Sequence, residues 1–257
     1  MKAHAKINLA LVVGPTRTDG LHEVATVLQR IDLADDVELE QADRLEVVGF
    51  PDDTIVRGGL ESLAQAAGVD PRWRVRIEKR IPVAAGLGGG SSDAAAALRL
   101  ANETLVAPLP LFDLAASLGA DVPFFLADGP QLATGTGASL RPVDLPQDYV
   151  AVLVFPDGVV KESTAAVYSR FTGADGFAER RAQLDAALVA GDLSALPRND
   201  LASSPLAAEL ERLGAFRADV TGAGPVVYGL FRDETAASDA ASELARVGPT
   251  WVARPAW

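Results

Sequence analysis

Pro82-Val83-Ala84-Ala85-Gly86-Leu87-Gly88-Gly89-Gly90-Ser91-Ser92-Asp93 sets four glycines within five residues directly ahead of an alanine-rich segment, Ala94 to Leu105, that reads as a helix. The first turn of a helix has unpaired N–H groups and a partial positive charge, and glycines let the backbone approach an anion closely. A phosphate suits such a segment. The run lacks the Gly-Lys pair of a Walker A loop, and Ser91 stands where a dinucleotide fingerprint opened by Gly86 and Gly88 would need its third glycine. The plainer alternative is a flexible loop whose helix is capped by Ser91 or Ser92. Four glycines exceed what a cap requires, so phosphate binding is the favoured reading.

Upstream, Trp73 to Ile77 reads as a strand, and Thr54 to Ala67 as a helix stopped by Gly68. Further back, Lys2 to Val13, His22 to Leu33 and Val37 to Val48 read as extended, with a loop from Gly14 to Gly20. Alternation along the first of these puts Ile7, Leu9, Leu11 and Val13 on one face and Lys6 and Asn8 together on the other. Lys6 reads equally well as a solvated edge lysine. Downstream, Leu111 to Leu118 is a helix, and Asp121-Val122-Pro123 opens another, where an aspartate is ordinarily an N-cap. Gly129 to Pro146 is rich in turns.

A second half starts near Tyr149 with a strand at Val150 to Phe155. Helices are expected at Thr164 to Phe171, Phe177 to Ala190, Leu206 to Leu213 and Glu234 to Val247. Strands are expected around Val220, at Val226 to Phe231 and at Trp251 to Ala253, the first two flanking Thr221-Gly222-Ala223-Gly224-Pro225. Strands and helices mix without a strict βαβ cadence, so the class is α+β. The expected division is 1–146 and 147–257.

The 257 residues carry 35 acidic and 23 basic side chains, and a net charge of −12 repels polyanions. Nucleic acid and anionic membrane are therefore not expected as partners, and any phosphate must be held locally. No apolar run nears the ~18 residues of a membrane span. There is no cysteine, which removes disulfides, thiol nucleophiles and zinc–thiolate sites. The N-terminal stretch has no small-residue cleavage site, so a cytoplasmic location is expected. His4 and His22 are the sole histidines, which argues against a histidine triad or a multi-histidine metal site. Lysine is scarce, at positions 2, 6, 79 and 161 alone.

Ala5-Lys6-Ile7-Asn8-Leu9, Asp19-Gly20-Leu21-His22-Glu23, Pro82 to Ala95, Gly119-Ala120-Asp121-Val122-Pro123-Phe124-Phe125 and Thr221-Gly222-Ala223-Gly224-Pro225 resemble, in order, the motifs of the GHMP small-molecule kinases. The first, second and fourth resemble the branch that acts on a cytidine diphosphate-linked methylerythritol. The resemblance spans nearly the whole chain. It implies a two-domain fold, with an N-terminal half like ribosomal protein S5 domain 2 and a ferredoxin-like C-terminal half.

The resemblance also implies ATP with Mg²⁺, a small-molecule acceptor and a set of roles. Lys6 and Asp121 would be catalytic. Lys79, Pro82, Gly86, Leu87, Gly88, Gly89, Gly90, Ser91 and Ser92 would bind ATP, with Ser91 or Ser92 nearest the metal. Asn8, His22, Thr164, Tyr168, Thr221 and Gly222 would serve the substrate, Tyr168 by stacking on cytosine. Two departures stand out: Leu21 replaces a tyrosine that would offer a ring to the base, and Thr54 replaces an asparagine on the adenine side. Two other readings share part of these features. One is a kinase of homoserine, mevalonate or a sugar, and the other is a non-catalytic nucleotide-binding protein.

Overall fold

In the computed structural model, residues 1–50, 54–159 and 162–256 are described. Lys161, one of the four lysines, lies outside them. In chain order the elements are β1 (Lys2–Thr16), β2 (His22–Gln41), β3 (Glu46–Val48), α1 (Thr54–Ala67), β4 (Trp73–Glu78), α2 (Gly89–Glu103), α3 (Phe112–Leu118), α4 (Val122–Leu126), β5 (Gln131–Gly135) and β6 (Ser139–Pro142). The second half continues with β7 (Val150–Val154), α5 (Thr164–Ser169), α6 (Phe177–Ala190), α7 (Pro205–Arg212), β8 (Arg217–Val220), β9 (Val227–Phe231), α8 (Glu234–Leu244) and β10 (Thr250–Ala253).

The chain forms two compact units whose segments alternate along the sequence. The first comprises Met1–Ala5, Leu33–Val83 and Gly88–Asp128, and the second Lys6–Asp32, Ala84–Leu87 and Gly129–Trp257. In the first unit the C-terminal part of β2 pairs antiparallel with β4, from Asp36 opposite Glu78 to Gln41 opposite Trp73, and β3 runs parallel to β4. Strand β4 alternates strictly, with Trp73, Val75 and Ile77 buried and the residues between them exposed, because one face of the sheet is covered and the other is wet. Helix α1 packs on α2 and α3, and α2 on α4. The alanines of α2 from Ala94 to Ala97 are all buried, and their small side chains suit close helix packing.

In the second unit the N-terminal part of β2 pairs antiparallel with β5, from Val24 opposite Gly135 to Leu28 opposite Gln131, and β5 continues into a hairpin with β6. A separate antiparallel sheet has the order β10-β7-β9-β8. That is the 4-1-3-2 order of a ferredoxin-like sheet, with α7 and α8 packed on it. Val152, Val154, Leu210, Ala218, Val227, Phe231 and Leu244 are among the buried residues of its core. Each large apolar side chain buried there contributes about 1.5–3 kcal/mol. Among the described residues no helix is long and apolar enough to cross a membrane.

Several boundaries differ from the sequence reading. β1 runs on through Gly14 and Pro15 to Thr16, and the turn that follows closes with Arg17 N–H donating to the Leu21 carbonyl at 2.7 Å. The two expected strands from His22 to Val48 are one 20-residue strand and a short separate one. The turn-rich 129–146 region contains the β5–β6 hairpin. Helix α2 starts at Gly89, five residues before the alanine run, because first-turn residues need no intrahelical partner for their N–H groups and tolerate weak helix formers.

Candidate active site

The second unit holds a buried polar chain that begins on β1. Lys6 and Asn8 share a face of the strand, as alternation predicts, and both are buried, at 4% and 6% exposure. A lysine at 4% exposure is not a solvated edge lysine. Its ammonium donates to Asn8 Oδ1 at 2.7 Å. Asn8 Nδ2 donates to Thr26 Oγ1 at 2.8 Å, and Thr26 Oγ1 passes its own proton to the Ala10 carbonyl. Thr221 closes the chain: its hydroxyl donates to Asn8 Oδ1 at 3.2 Å and accepts from the Asn8 N–H at 3.0 Å. Each of these groups is satisfied by the next, which fixes the rotamers of Lys6 and Asn8.

The turn after Thr221 is built for close approach. Gly222 sits at φ +58°, and a Cβ there would lie 3.6 Å from Lys6 Nζ and 3.4 Å from Asn8 Oδ1. Asn199 Nδ2 grips the turn from the other side, donating to the carbonyls of Val220 at 2.8 Å and Gly222 at 2.7 Å. Gly86 packs on the same turn: at φ +82°, its Cβ would come within 2.8 Å of the Thr221 carbonyl oxygen and 2.9 Å of that of Gly224. Leu87, fully buried, accepts the Lys6 N–H at 2.9 Å. The sequence positions 6, 8, 86, 87, 221 and 222 are thus brought together.

His22, Tyr168 and Phe171 form an aromatic group in the same unit. The His22 ring is 5.7 Å from that of Tyr168 and 5.9 Å from that of Phe171, and its Nδ1 bonds the Gly14 carbonyl at 2.9 Å. Tyr168 and Phe171 pack on Leu11, Val13 and Val24. Thr164 stands exposed at the first residue of α5, behind the Ser163 cap. Leu21 is 55% exposed.

The first unit holds the second half of the glycine segment. Gly88 is the N-cap of α2 in the left-handed conformation at φ 73°, and no side chain caps this helix. The serine-cap reading is therefore not what the fold adopts. The first bond of the helix runs from Ser92 N–H to the Gly88 carbonyl, so the amides of Gly89, Gly90 and Ser91 precede it. Ser92 is buried and Ser91 half-buried. An uncapped 15-residue helix opened by glycines fits an anion through its amides and dipole. Asp121 occupies the N-cap position of α4 with helical φ and ψ, yet its side chain makes no capping bond, so the ordinary reading of that aspartate fails as well.

Lys79 is 17% exposed and lies between two fully buried carboxylates, with Nζ 2.6 Å from Asp35 Oδ2 and 2.7 Å from Asp93 Oδ2. Burial disfavours its charge, but hydrogen bonds to the two carboxylates outweigh that and hold its pKa above the ordinary value. Burial pushes Asp93 up to about 7, against the pull of Lys79. Asp35, Asp93, Thr26 and Asn199 carry no role in the sequence reading. For Asp35 the signal was present: it shares parity with the apolar Val37 and Leu39 along β2. Asn199 gives no comparable pattern.

A ferredoxin-like half, a buried lysine beside a glycine turn and an uncapped glycine-opened helix define the class of a two-part α+β kinase of small molecules. The model of the GHMP kinases N terminal domain matches residues 54–129, and that of the GHMP kinases C terminal domain matches 187–250. A 4-diphosphocytidyl-2-C-methyl-D-erythritol kinase of Anaeromyxobacter sp. (strain Fw109-5) is 38% identical over 263 residues, covering 95% of this chain and 85% of that protein. One from Geobacter sulfurreducens (strain ATCC 51573 / DSM 12127 / PCA) is 38% identical, covering 95% and 94%. A crystal structure of 4-(cytidine 5'-diphospho)-2C-methyl-D-erythritol kinase superposes with a TM-score of 0.85 at 31% identity, covering 100% of this chain and 99% of that one. A mevalonate kinase at TM-score 0.75 and 16% identity, covering 99% and 98%, shares the fold. The chain belongs to the GHMP kinases and, within them, to the 4-diphosphocytidyl-2-C-methyl-D-erythritol kinase family.

Proposed function

We propose that this chain transfers the γ-phosphoryl group of ATP to the 2-hydroxyl of 4-diphosphocytidyl-2-C-methyl-D-erythritol, in the supply of isoprenoid precursors by a route without mevalonate. The observation that carries the reading is the ammonium of Lys6, buried, held by Asn8 and backed by the Thr221–Gly222 turn. A cation taken out of water at such cost is kept where negative charge must be met.

Lys6 and Asp121 are the catalytic pair of this reading. Asp121 accepts the proton of the substrate hydroxyl as its oxygen bonds to the γ-phosphorus, and the bond from that phosphorus to the β,γ-bridging oxygen breaks to leave ADP. Lys6 stabilises the charge on the attacking oxygen. Pro82, Gly86, Leu87, Gly88, Gly89, Gly90, Ser91 and Ser92 form the ATP phosphate segment, with amides as donors and Leu87, the one bulky side chain among the glycines, buried, and Lys79 stands behind it. Asn8, Thr221 and Gly222 serve the acceptor side by fixing Lys6. His22, Tyr168 and Thr164 serve the cytidine, and the His22–Tyr168 ring pair supplies the aromatic surface that Leu21 does not.

Mg²⁺ is part of this reading. Among the described residues no group of three or more His, Cys, Asp or Glu could hold a metal ion, and in this reading the ion enters with ATP. Ser91 or Ser92 would be its protein ligand, and when bound it neutralises charge on the β- and γ-phosphates. The working division at 146/147 is supported by the two family models, which fall on either side of it. A cytoplasmic location and a small molecule rather than a nucleic acid as partner complete the proposal.

The test is ADP release with a panel of acceptors: the cytidine diphosphate-linked methylerythritol, homoserine, mevalonate and galactose. Turnover with the first alone is expected, and preference for another acceptor refutes the assignment. Lys6→Ala and Asp121→Asn are each expected to lower kcat by at least about 10²-fold, within the range of general acid–base effects, while circular dichroism stays unchanged. Wild-type turnover in both variants removes the mechanism.

A further inference from the structure

Asp35, Lys79 and Asp93 are joined by more than an ion pair. One oxygen of Asp35 and one of Asp93 bond the Lys79 ammonium, and the other oxygen of Asp35 accepts the main-chain N–H groups of Arg80 at 2.5 Å and Ile81 at 2.8 Å. Arg80 and Ile81 directly precede Pro82, where the glycine-rich segment starts. Asp93 directly follows Ser92, where it ends. A carboxylate on β2 and an ammonium just past β4 thus hold both ends of one loop. The ammonium also backs onto the first residue of α2, since a Cβ on Gly89 would lie 3.2 Å from Lys79 Nζ.

Such an arrangement does not pack cheaply. Two buried carboxylates share one cation, and Asp93 Oδ1 is buried with no hydrogen-bond partner. When Asp93 is ionised this leaves a surplus buried charge, which costs stability that an apolar trio would not. What it supplies is order. A glycine-rich loop loses more conformational freedom than any other when it becomes fixed, and tethering both ends before a ligand arrives removes part of that cost from binding.

We propose that Asp35, Lys79 and Asp93 form an ionic clamp that preorganises the glycine-rich loop for the phosphates of ATP, the three acting as positioning residues and not as ligands of the nucleotide. The inference rests on the reading of the chain as an ATP-dependent kinase. It accounts for Lys79, whose ammonium is committed to carboxylates and so cannot act as a free phosphate-binding charge.

The test uses the full chain with Lys79→Met and Asp93→Asn combined, which removes one positive and one negative charge together and leaves Asp35 on its two amides. In the ligand-free protein the amides of Gly88 to Ser92 are expected to exchange with deuterium at least about tenfold faster than in the wild type. The Kd for a non-hydrolysable ATP analogue is expected to rise about tenfold. Lys79→Arg, whose planar fork can bridge two carboxylates, is expected to keep both quantities within about twofold. Unchanged exchange or unchanged affinity in the folded double variant overturns the clamp. Should that variant not fold, Asp93→Asn alone keeps the side-chain shape, and faster exchange with weaker affinity is again expected, while no change in either one overturns the clamp. Exchange in the ligand-free protein does not depend on the acceptor. A wild type inactive toward the panel would therefore refute the function and leave the clamp to be judged by its own result.

Discussion

Asn8 spends every polar atom of its side chain on neighbours. Its Oδ1 accepts from Lys6 and Thr221, and its Nδ2 donates to Thr26. Asn8→Ala therefore deprives two buried donors of an acceptor and one hydroxyl of a donor, at about 1–3 kcal/mol for each group left unsatisfied. A lower urea midpoint is expected, together with a kcat at least about tenfold below wild type, because Lys6 loses a bond that orients it. A kcat equal to that of the wild type would show that Lys6 needs no such support. The pairing of Lys6 with Asn8 was legible in the sequence, since period-two alternation alone puts them on one face. Their burial was not, because it depends on Thr26 and on Thr221, 213 positions from Asn8. Asp35 was legible in principle by its parity with Val37, but the acidic run around it resembles a solvated edge.

At the scale of elements, the glycine segment was recognised for its composition, while its division of labour appears only in three dimensions. Gly86 supplies a left-handed backbone pressed on the Thr221–Gly224 turn, whereas Gly88 supplies the left-handed N-cap of α2. Gly86→Ala would combine strain at φ +82° with two backbone clashes under 3.0 Å. It is expected to destabilise the protein by at least about 1–2 kcal/mol and to raise KM for ATP several-fold. Gly20, also at positive φ but with open space around its Cβ position, is the control: alanine there should cost only the backbone term. Equal effects at the two positions would mean that the turn contact is unimportant. The start of α2 escaped the sequence reading because propensity disfavours glycine in a helix interior, and the first turn is not an interior. The extension of β1 through Pro15 escaped it for a related reason, since a proline at a strand's end forfeits little pairing.

For the molecule as a whole, the buried charge in the first unit makes stability depend on pH with a definite sign. Asp93 is pushed up to about 7 from an ordinary 3.8. Below about pH 4 both the native and the unfolded chain hold this proton. Between about 4 and 7 the native chain keeps a proton that the unfolded chain has released, so this contribution to stability falls as pH rises and is lost above about 7. Asp93→Asn lacks the effect. In urea titrations from about pH 4 to pH 8 the variant should gain on the wild type as pH rises, and parallel curves would show that Asp93 does not carry the shift. The α+β class was legible from the order of elements, and the ferredoxin-like half from the resemblance of the motifs to the GHMP kinases. The assignment of alternating segments to two units was not, because contacts that regroup residues 1–5 with 33–83 leave no mark in composition.

The scarcity of lysine acquires a practical meaning once burial is known. Lys6 is 4% exposed and Lys79 17%, whereas the side chain of Lys2 is 52% exposed. Acylating dyes and surface linkers aimed at amines will therefore select Lys2 among the described lysines, sparing Lys6 and Lys79 with no protecting ligand present.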